Sequence, residues 1–294
     1  MIGPRVLHRS DRPSATALGV TVWRALEASR PAGERIVDDP YAAAFLPRSL
    51  QAALPGLLRA RPLLDLPERN ALTGLGAYVL CRHGFVDEHL LAALRDGVEQ
   101  VVVLGAGYDS RAYRFADALA GRPVFEVDLP ALSRRKARLV AARPEVFGPA
   151  AVRSVETDFR ADSLAARLAA AGFRAGRPTF VAWEGVVPYL SRAAVEATLT
   201  DLRGLLGRGS TLALDLWDGG GSDALAPLRR FGAWTLSLVG EPVTFAVPPP
   251  VASQLLASYG LDVIDLAEAA ELTARYATAG RVAAASLYLV AASR

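Results

Sequence analysis

The chain has 294 residues, 52% hydrophobic and 21% charged, with a formal net charge of +3. That length allows one or two domains and a core that needs no disulfide staples. No apolar run approaches the roughly 20 residues of a membrane helix, and Met1–Val20 carries charge without an apolar signal core, so a cytoplasmic protein without a membrane role is expected.

Cys81 is the sole cysteine, which excludes a disulfide framework or a cysteine-built zinc site within one chain. A small buried hydrophobe is the plainer reading of it, a nucleophile the sharper one. The arginines are dispersed, with short pairs at Arg134–Arg135 and Arg229–Arg230. They lack the clustering and interleaved aromatics of a nucleic-acid surface.

In chain order, Ala15–Ser29 has apolar residues at helical spacing, with Ser14 as a candidate cap. Asp38-Asp39-Pro40 predicts a second, short helix with Pro40 at its first position. Pro47, Pro55, Pro62 and Pro67 punctuate the next stretch, and a helix resumes near Leu72 and runs through Tyr78 and Arg82 toward Leu94. The pattern then changes to short apolar runs, Val101–Leu104, Val124–Val127, Val152–Glu156, Thr179–Trp183 and Thr211–Leu216. Helical segments separate them: Leu129–Ala142, Asp162–Ala171, Ser191–Leu206 and, further on, Val251–Tyr259. Such alternation predicts an α/β fold, a doubly wound parallel sheet covered on both faces. Leu261–Leu266 and Val282–Ala292 read as strands with no long helix between them, and Gly219–Pro250 is a long connection of the kind that forms lids or binding loops.

Each strand of the series ends in glycine or a polar residue, and ligands of open α/β sheets bind along that edge. The rim so assembled is Gly105, Gly107, Asp128, Asp158 and Glu184. Gly105 and Gly107 permit a sharp turn and close approach of a ligand. Asp128, placed 21 residues after Gly107, can accept hydrogen bonds from both hydroxyls of a ribose. Nicotinamide enzymes and methyltransferases share that much. The third glycine of a dinucleotide fingerprint is replaced by Ser110, however, and Asp109 sets a carboxylate where a pyrophosphate would be repelled. A phosphate-free ligand bearing a sulfonium suits the turn better. Asp158 can accept from an adenine amino group with Phe159 framing the base, or Asp158 or Asp162 simply caps the following helix. Glu184 can hold an ammonium group or lie in a surface turn. Arg82, on its own, reads as part of a solvated helix face.

At these motifs the chain resembles the leucine carboxyl methyltransferase-like family, which includes bacterial methyltransferases and polyketide carboxyl methyltransferases of the tetracenomycin pathway. The matching pieces are SATALGV (Ser14–Val20), DDPYAAAF (Asp38–Phe45), CRHGFVDEHLLAAL (Cys81–Leu94), VVVLGAGYDSRAYRF (Val101–Phe115), VFEVDLPALSRRKARL (Val124–Leu139), VETDFRAD (Val155–Asp162) and WEGVVPYLS (Trp183–Ser191). The resemblance implies a seven-stranded Rossmann-like sheet with an antiparallel last strand. It also implies a helical N-terminal cover, here residues 1–84 over a core of 85–294; the 219–250 connection, expected as a substrate loop, has no residue-by-residue match. The resemblance implies S-adenosylmethionine as cofactor. Arg82 would pair with its carboxylate; Gly105, with Ala106 and Gly107, would lie against the methionine part. Asp128 and Leu129 would serve the ribose side, Asp158 and Phe159 the adenine, and Glu184 the amino end. Tyr189 falls at an aromatic position facing the acceptor. His83-Gly84 departs from the Thr-Arg of many relatives, and Trp183 is bulkier than the residue expected before Glu184.

Methyl transfer from a sulfonium is an in-line displacement in which positioning supplies much of the rate. A carboxylate acceptor needs no base, whereas a hydroxyl usually does, most often histidine. His8, His83 and His89 are the only histidines, which favours a carboxylate acceptor or catalysis by placement alone; His83, Tyr189 and Asp109 remain the catalytic candidates. The expected activity is O-methylation of a small-molecule carboxyl or hydroxyl group in secondary metabolism, by a monomer or homodimer. Protein carboxyl methylation, nonenzymatic cofactor binding and nicotinamide oxidoreduction are the alternatives.

Overall fold

The structure, a computed structural model, describes residues 15–71, 73–159, 161–219, 243–285 and 287–294. Ser14, His8 and most of the 219–250 connection, expected as cap, tail and substrate loop, lie outside them. The helices are α1 (Ala15–Ala28), α2 (Arg48–Arg59), α3 (Leu75–Arg95), the single turn α4 (Arg111–Arg114), α5 (Pro130–Ala141), α6 (Leu164–Ala170), α7 (Arg192–Leu205), α8 (Pro249–Ser258) and α9 (Ala269–Tyr276). The strands are β1 (Gln100–Leu104), β2 (Val124–Asp128), β3 (Val152–Glu156), β4 (Thr179–Trp183), β5 (Thr211–Trp217), β6 (Asp262–Ala267) and β7 (Leu287–Ser293). They form one seven-stranded sheet in the order β3-β2-β1-β4-β5-β7-β6. Strands β1 to β5 are parallel, and β7 runs antiparallel between β5 and β6. The fold is the expected doubly wound sheet with an antiparallel last strand.

Register follows from burial on both faces. Val102 sits between Phe125 on β2 and Val181 on β4, and Val181 continues to Leu212 on β5. These residues face α6, α7 and α8, joined in one core with Leu168, Leu199 and Leu256. The alternate residues Val101, Val103, Phe180 and Ala213 face the other way, onto Phe85, Val86 and Leu90 of α3 and Leu272 of α9. A one-residue slip would exchange the two sets and rebuild both cores at once.

Four local expectations differ from the structure. The short helix after Asp38-Asp39 begins at Ala42 rather than Pro40: the buried Asp39 carboxylate accepts from the Tyr41 amide at 3.1 Å and holds the preceding residues in a turn. Pro55 does not interrupt the chain but lies inside α2. It forfeits one i→i−4 bond, on a helix that buries no residue. The tail between β6 and β7 contains an eight-residue helix, α9, that the sequence did not announce. The expected cover–core boundary at 84/85 falls within the unbroken α3.

The cover is fastened to the core by a buried ion pair and a buried hydrogen bond, each braced within the cover. On α1, Arg24 donates to the Tyr108 carbonyl at 2.6 Å and lies 3.4 Å from Asp39. Glu27 accepts both guanidinium arms of Arg281, at 2.6 and 3.0 Å, and Arg30 Nε at 2.9 Å. The cover therefore rests on the turn after β1 and on the segment leading into β7. No helix among the described residues is long and apolar enough to cross a membrane.

Candidate functional site

In the observed strand order the winding reverses between β1 and β4. Such a reversal opens a crevice at the carboxyl ends of the strands. The turn after β1 and the residues after β4 flank it.

The Gly105–Gly107 turn has the backbone that glycine allows. Gly105 has φ +68° and Gly107 φ +50°. At Gly105 a Cβ would fall 2.0 Å from Val186 Cγ2, so the neighbour that approaches closely is the chain after β4. The Gly107 amide donates to Asp128 Oδ2 at 2.5 Å, and the Leu129 amide donates to Oδ1 at 2.6 Å. Each oxygen of Asp128 thus takes one backbone N–H and keeps acceptor capacity for a ligand. Burial raises the Asp128 pKa, against which these amides work. A cavity of about 300 Å³ begins at Ala106, Gly107 and Asp128 and runs beneath α5. There Lys136 Nζ meets Glu126 Oε2 at 2.6 Å, both side chains buried.

On the opposite side of the crevice, Glu184 is the hub of a buried charge cluster. Its Oε2 accepts from Arg111 Nη2 at 2.9 Å. Its Oε1 meets His83 Nδ1 and lies 3.6 Å from Arg82 Nε. Arg82 Nη1 also donates to Asp215 Oδ2 at 2.9 Å, and Asp215 Oδ1 accepts from the Gly185 amide at 2.7 Å. Arg111 reaches Asp87 from Nε at 2.6 Å and Asp109 from Nη1 at 2.5 Å, and Arg114 Nη2 reaches Asp87 at 2.5 Å. Burial acts to raise the Glu184 pKa, but Arg111, His83 and Arg82 hold it well below the usual carboxylate range. Asp109 behaves likewise: against burial, Arg111 and Lys136 keep it low. Burial lowers the His83 pKa despite Glu184, so the imidazole is neutral near pH 7. Three arginines, Arg82, Arg111 and Arg114, therefore face four carboxylates, Asp87, Asp109, Glu184 and Asp215, a formal surplus of one negative charge.

Several buried polar atoms here make no hydrogen bond: Tyr78 Oη, Arg82 Nε and His83 Nε2, all from one stretch of α3. An unmade buried hydrogen bond costs about 1–3 kcal/mol. All three lie within one stretch of α3 facing the Glu184 cluster's side chains.

The sequence-predicted residues divide as follows. Arg82, His83, Asp109 and Glu184 converge in the cluster, and Arg82 is buried, not on a solvated face. Asp109 is held low by Arg111 and is a poor proton acceptor. Asp158 and Phe159 follow β3, half-buried, with Phe159 packed against the core. The cap of α6 is Ser163, whose Oγ accepts from the Ala166 amide at 3.3 Å, so neither Asp158 nor Asp162 serves that role. Asp162 instead accepts from the Asp158 amide at 2.9 Å. Tyr189 closes the 3₁₀ turn Val187–Tyr189, within electrostatic reach of Tyr78 and Arg82. Cys81 is fully buried and its thiol pKa is pushed to about 12, which makes it the inert hydrophobe.

Sequence reasoning missed Arg111, Asp87, Arg114 and Asp215. Asp215 had a signal: it is an acid inside the apolar run Leu212–Trp217, where only a buried partner makes a carboxylate tolerable.

Comparison with known proteins agrees with this architecture. Two curated relatives bear the name "Putative S-adenosyl-L-methionine-dependent methyltransferase". One, from Mycobacteroides abscessus, is 38% identical over 206 residues, covering 68% of this chain and 62% of its own length. The other, from Streptomyces coelicolor, is 36% identical over 235 residues, covering 78% and 79%. Alignments to the first three relatives span 62–64% of those proteins. Among solved structures, a "putative methyltransferase" from Thermobifida fusca matches with TM-score 0.59 at 16% identity, covering 99% of this chain and 98% of that one. A DUF574 family protein from Streptomyces avermitilis matches with TM-score 0.59 at 12% identity, covering 94% and 97%. These two share the fold. Residues 17–203 match the model of the leucine carboxyl methyltransferase family, and the chain belongs to that family.

Proposed function

We propose that this chain is an S-adenosylmethionine-dependent O-methyltransferase acting on a carboxyl or hydroxyl group of a small molecule, in secondary metabolism. The observation that carries the reading is the pairing across the crevice. On one side the glycine turn is bonded to Asp128; on the other lies the Glu184 cluster with its surplus negative charge. S-adenosylmethionine has a sulfonium, an ammonium and a carboxylate, hence one net positive charge, which complements that surplus. The names of the relatives support the same cofactor.

The residues fit the group. Arg82, whose Nε makes no hydrogen bond, would take the carboxylate. Glu184, held ionised by Arg111, would take the ammonium with its remaining lone pairs. Asp128 would accept from the ribose hydroxyls, with Gly105, Ala106 and Gly107 against the methionine part. Leu129 would lie beside the ribose, Asp158 and Phe159 would frame the adenine, and Tyr189 would stand toward the acceptor. The bound cofactor supplies an electrophilic methyl group on positively charged sulfur. The protein's contribution is to fix the acceptor oxygen in line with it and to exclude water, worth several powers of ten.

Incubation with S-adenosylmethionine labelled in its methyl group and a panel of small carboxylic acids and phenols tests this. Label should enter at least one small acceptor, and Asp128→Ala should abolish the transfer. Transfer only to the C-terminal carboxyl of a peptide would overturn the small-molecule reading.

A further inference from the structure

The Glu184–His83 contact carries an inference that rests on the methyltransferase reading and narrows its acceptor. His83 lies on α3 beside Arg82, buried, with Nδ1 against Glu184 Oε1. Arg111 Nη2 is 3.2 Å from the same nitrogen, but that arm already donates to Glu184 Oε2 at 2.9 Å. A ring nitrogen in contact with a carboxylate oxygen must carry the proton, because two lone pairs there would repel. Nδ1 is therefore the N–H, and in a neutral ring Nε2 bears the free lone pair. Nε2 is buried and has no partner among the described residues.

We propose that His83 is the general base of this site, oriented by Glu184, and that the acceptor is a hydroxyl, a phenol or enol, rather than a carboxylate. In the step, the acceptor O–H gives its proton to His83 Nε2. The oxygen lone pair forms the new bond to the methyl carbon as the carbon–sulfur bond breaks, with that electron pair staying on sulfur as a neutral thioether. The imidazolium so formed is stabilised by Glu184 and returns its proton to solvent after product leaves. A carboxylate acceptor is already ionised and would leave this lone pair without a role in the transfer.

The groups that set the imidazole's behaviour come from several elements around it: Glu184 after β4, Arg111 of α4 and Arg24 of α1, with Arg82 of α3 acting on Glu184. The positive charges and burial keep His83 unprotonated near pH 7, the state a base requires.

The test uses the full chain and His83→Thr. The first readout needs no acceptor: NMR of isotope-labelled histidine, with His83 assigned by its loss in the variant, should show a neutral ring protonated at Nδ1. Protonation at Nε2 would overturn the proposal. The second uses labelled S-adenosylmethionine and a panel of phenols and aryl carboxylic acids. Product should be base-stable methyl ether, and His83→Thr should lower kcat by about 10²–10⁴-fold, with binding of S-adenosylhomocysteine within about threefold of the parent. The residual rate should rise with pH toward the phenol's own ionisation. Base-labile methyl ester as the product, no ether from any phenol, or an unchanged kcat in His83→Thr would each refute the base. Failure of the parent to bind S-adenosylhomocysteine at all would instead refute the methyltransferase reading, which separates the two.

Discussion

Arg111 is the keystone of the charge cluster, and replacing it gives the sharpest test of how the cluster is held. Arg111→Met keeps an unbranched side chain of similar reach and removes the charge. Arg111 serves three buried carboxylates, Asp87, Asp109 and Glu184. Asp87 retains Arg114, and Glu184 retains Arg82 and His83. Asp109 keeps the backbone amide of residue 111, at 2.7 Å, and the weaker influence of the Lys136 charge. The loss therefore amounts to one orphaned buried charge, about 3–5 kcal/mol, a large share of the ~5–15 kcal/mol that holds a domain together. In the parent, Asp109 and Glu184 have depressed pKa values. Their contribution is complete above the unfolded values of about 3.9 and 4.3 and is lost only as pH falls through that range to the folded values. In the variant, burial of Asp109 goes unopposed by Arg111 and raises its pKa above the unfolded value. Protonation then relieves the penalty as pH falls. The stability gap between parent and variant should be widest near pH 7 and narrow toward about pH 5. Urea denaturation with linear extrapolation at both pH values measures it. A gap under about 1 kcal/mol near neutrality, or one that widens on acidification, would refute the reasoning.

Gly105→Ala should destabilise the fold by about 2–4 kcal/mol, combining left-handed strain with overpacking, since its Cβ would fall 2.0 Å from Val186 Cγ2. Adding Val186→Ala should restore the steric part, and denaturation midpoints report both. Cys81, buried with its thiol pKa near 12, should react with iodoacetamide only as fast as the protein unfolds. Modification at the rate of a free thiol would place it elsewhere.

Much of this was legible because it depends on local pattern. The five runs from Val101 to Leu216 appear as β1 to β5 because parallel strands buried on both faces are continuous apolar stretches. Their polar ends gave Gly105, Asp128, Asp158 and Glu184 as a rim. The buried counter-ions were hidden for the opposite reason. Arg111 reaches Asp87 across 24 residues and Glu184 across 73, and Arg82 reaches Asp215 across 133. No spacing rule connects such positions until the sheet brings them together. The same holds for His83, a scarce histidine whose meaning lies in which nitrogen faces Glu184. Pro40 and Pro55 misled because a proline's effect depends on whether the surrounding backbone is buried and otherwise bonded.

The central claim is that the crevice between β1 and β4 binds S-adenosylmethionine through Asp128 and the Glu184 cluster. Calorimetry of the full chain with S-adenosylhomocysteine and with NAD, repeated on Asp128→Asn, tests it most directly. Charged hydrogen bonds of about 1.5–3 kcal/mol are at stake. The account predicts binding of the homocysteine compound, no binding of NAD, and affinity lowered at least about tenfold in Asp128→Asn. Tight NAD binding, or unchanged S-adenosylhomocysteine affinity in Asp128→Asn, would contradict it.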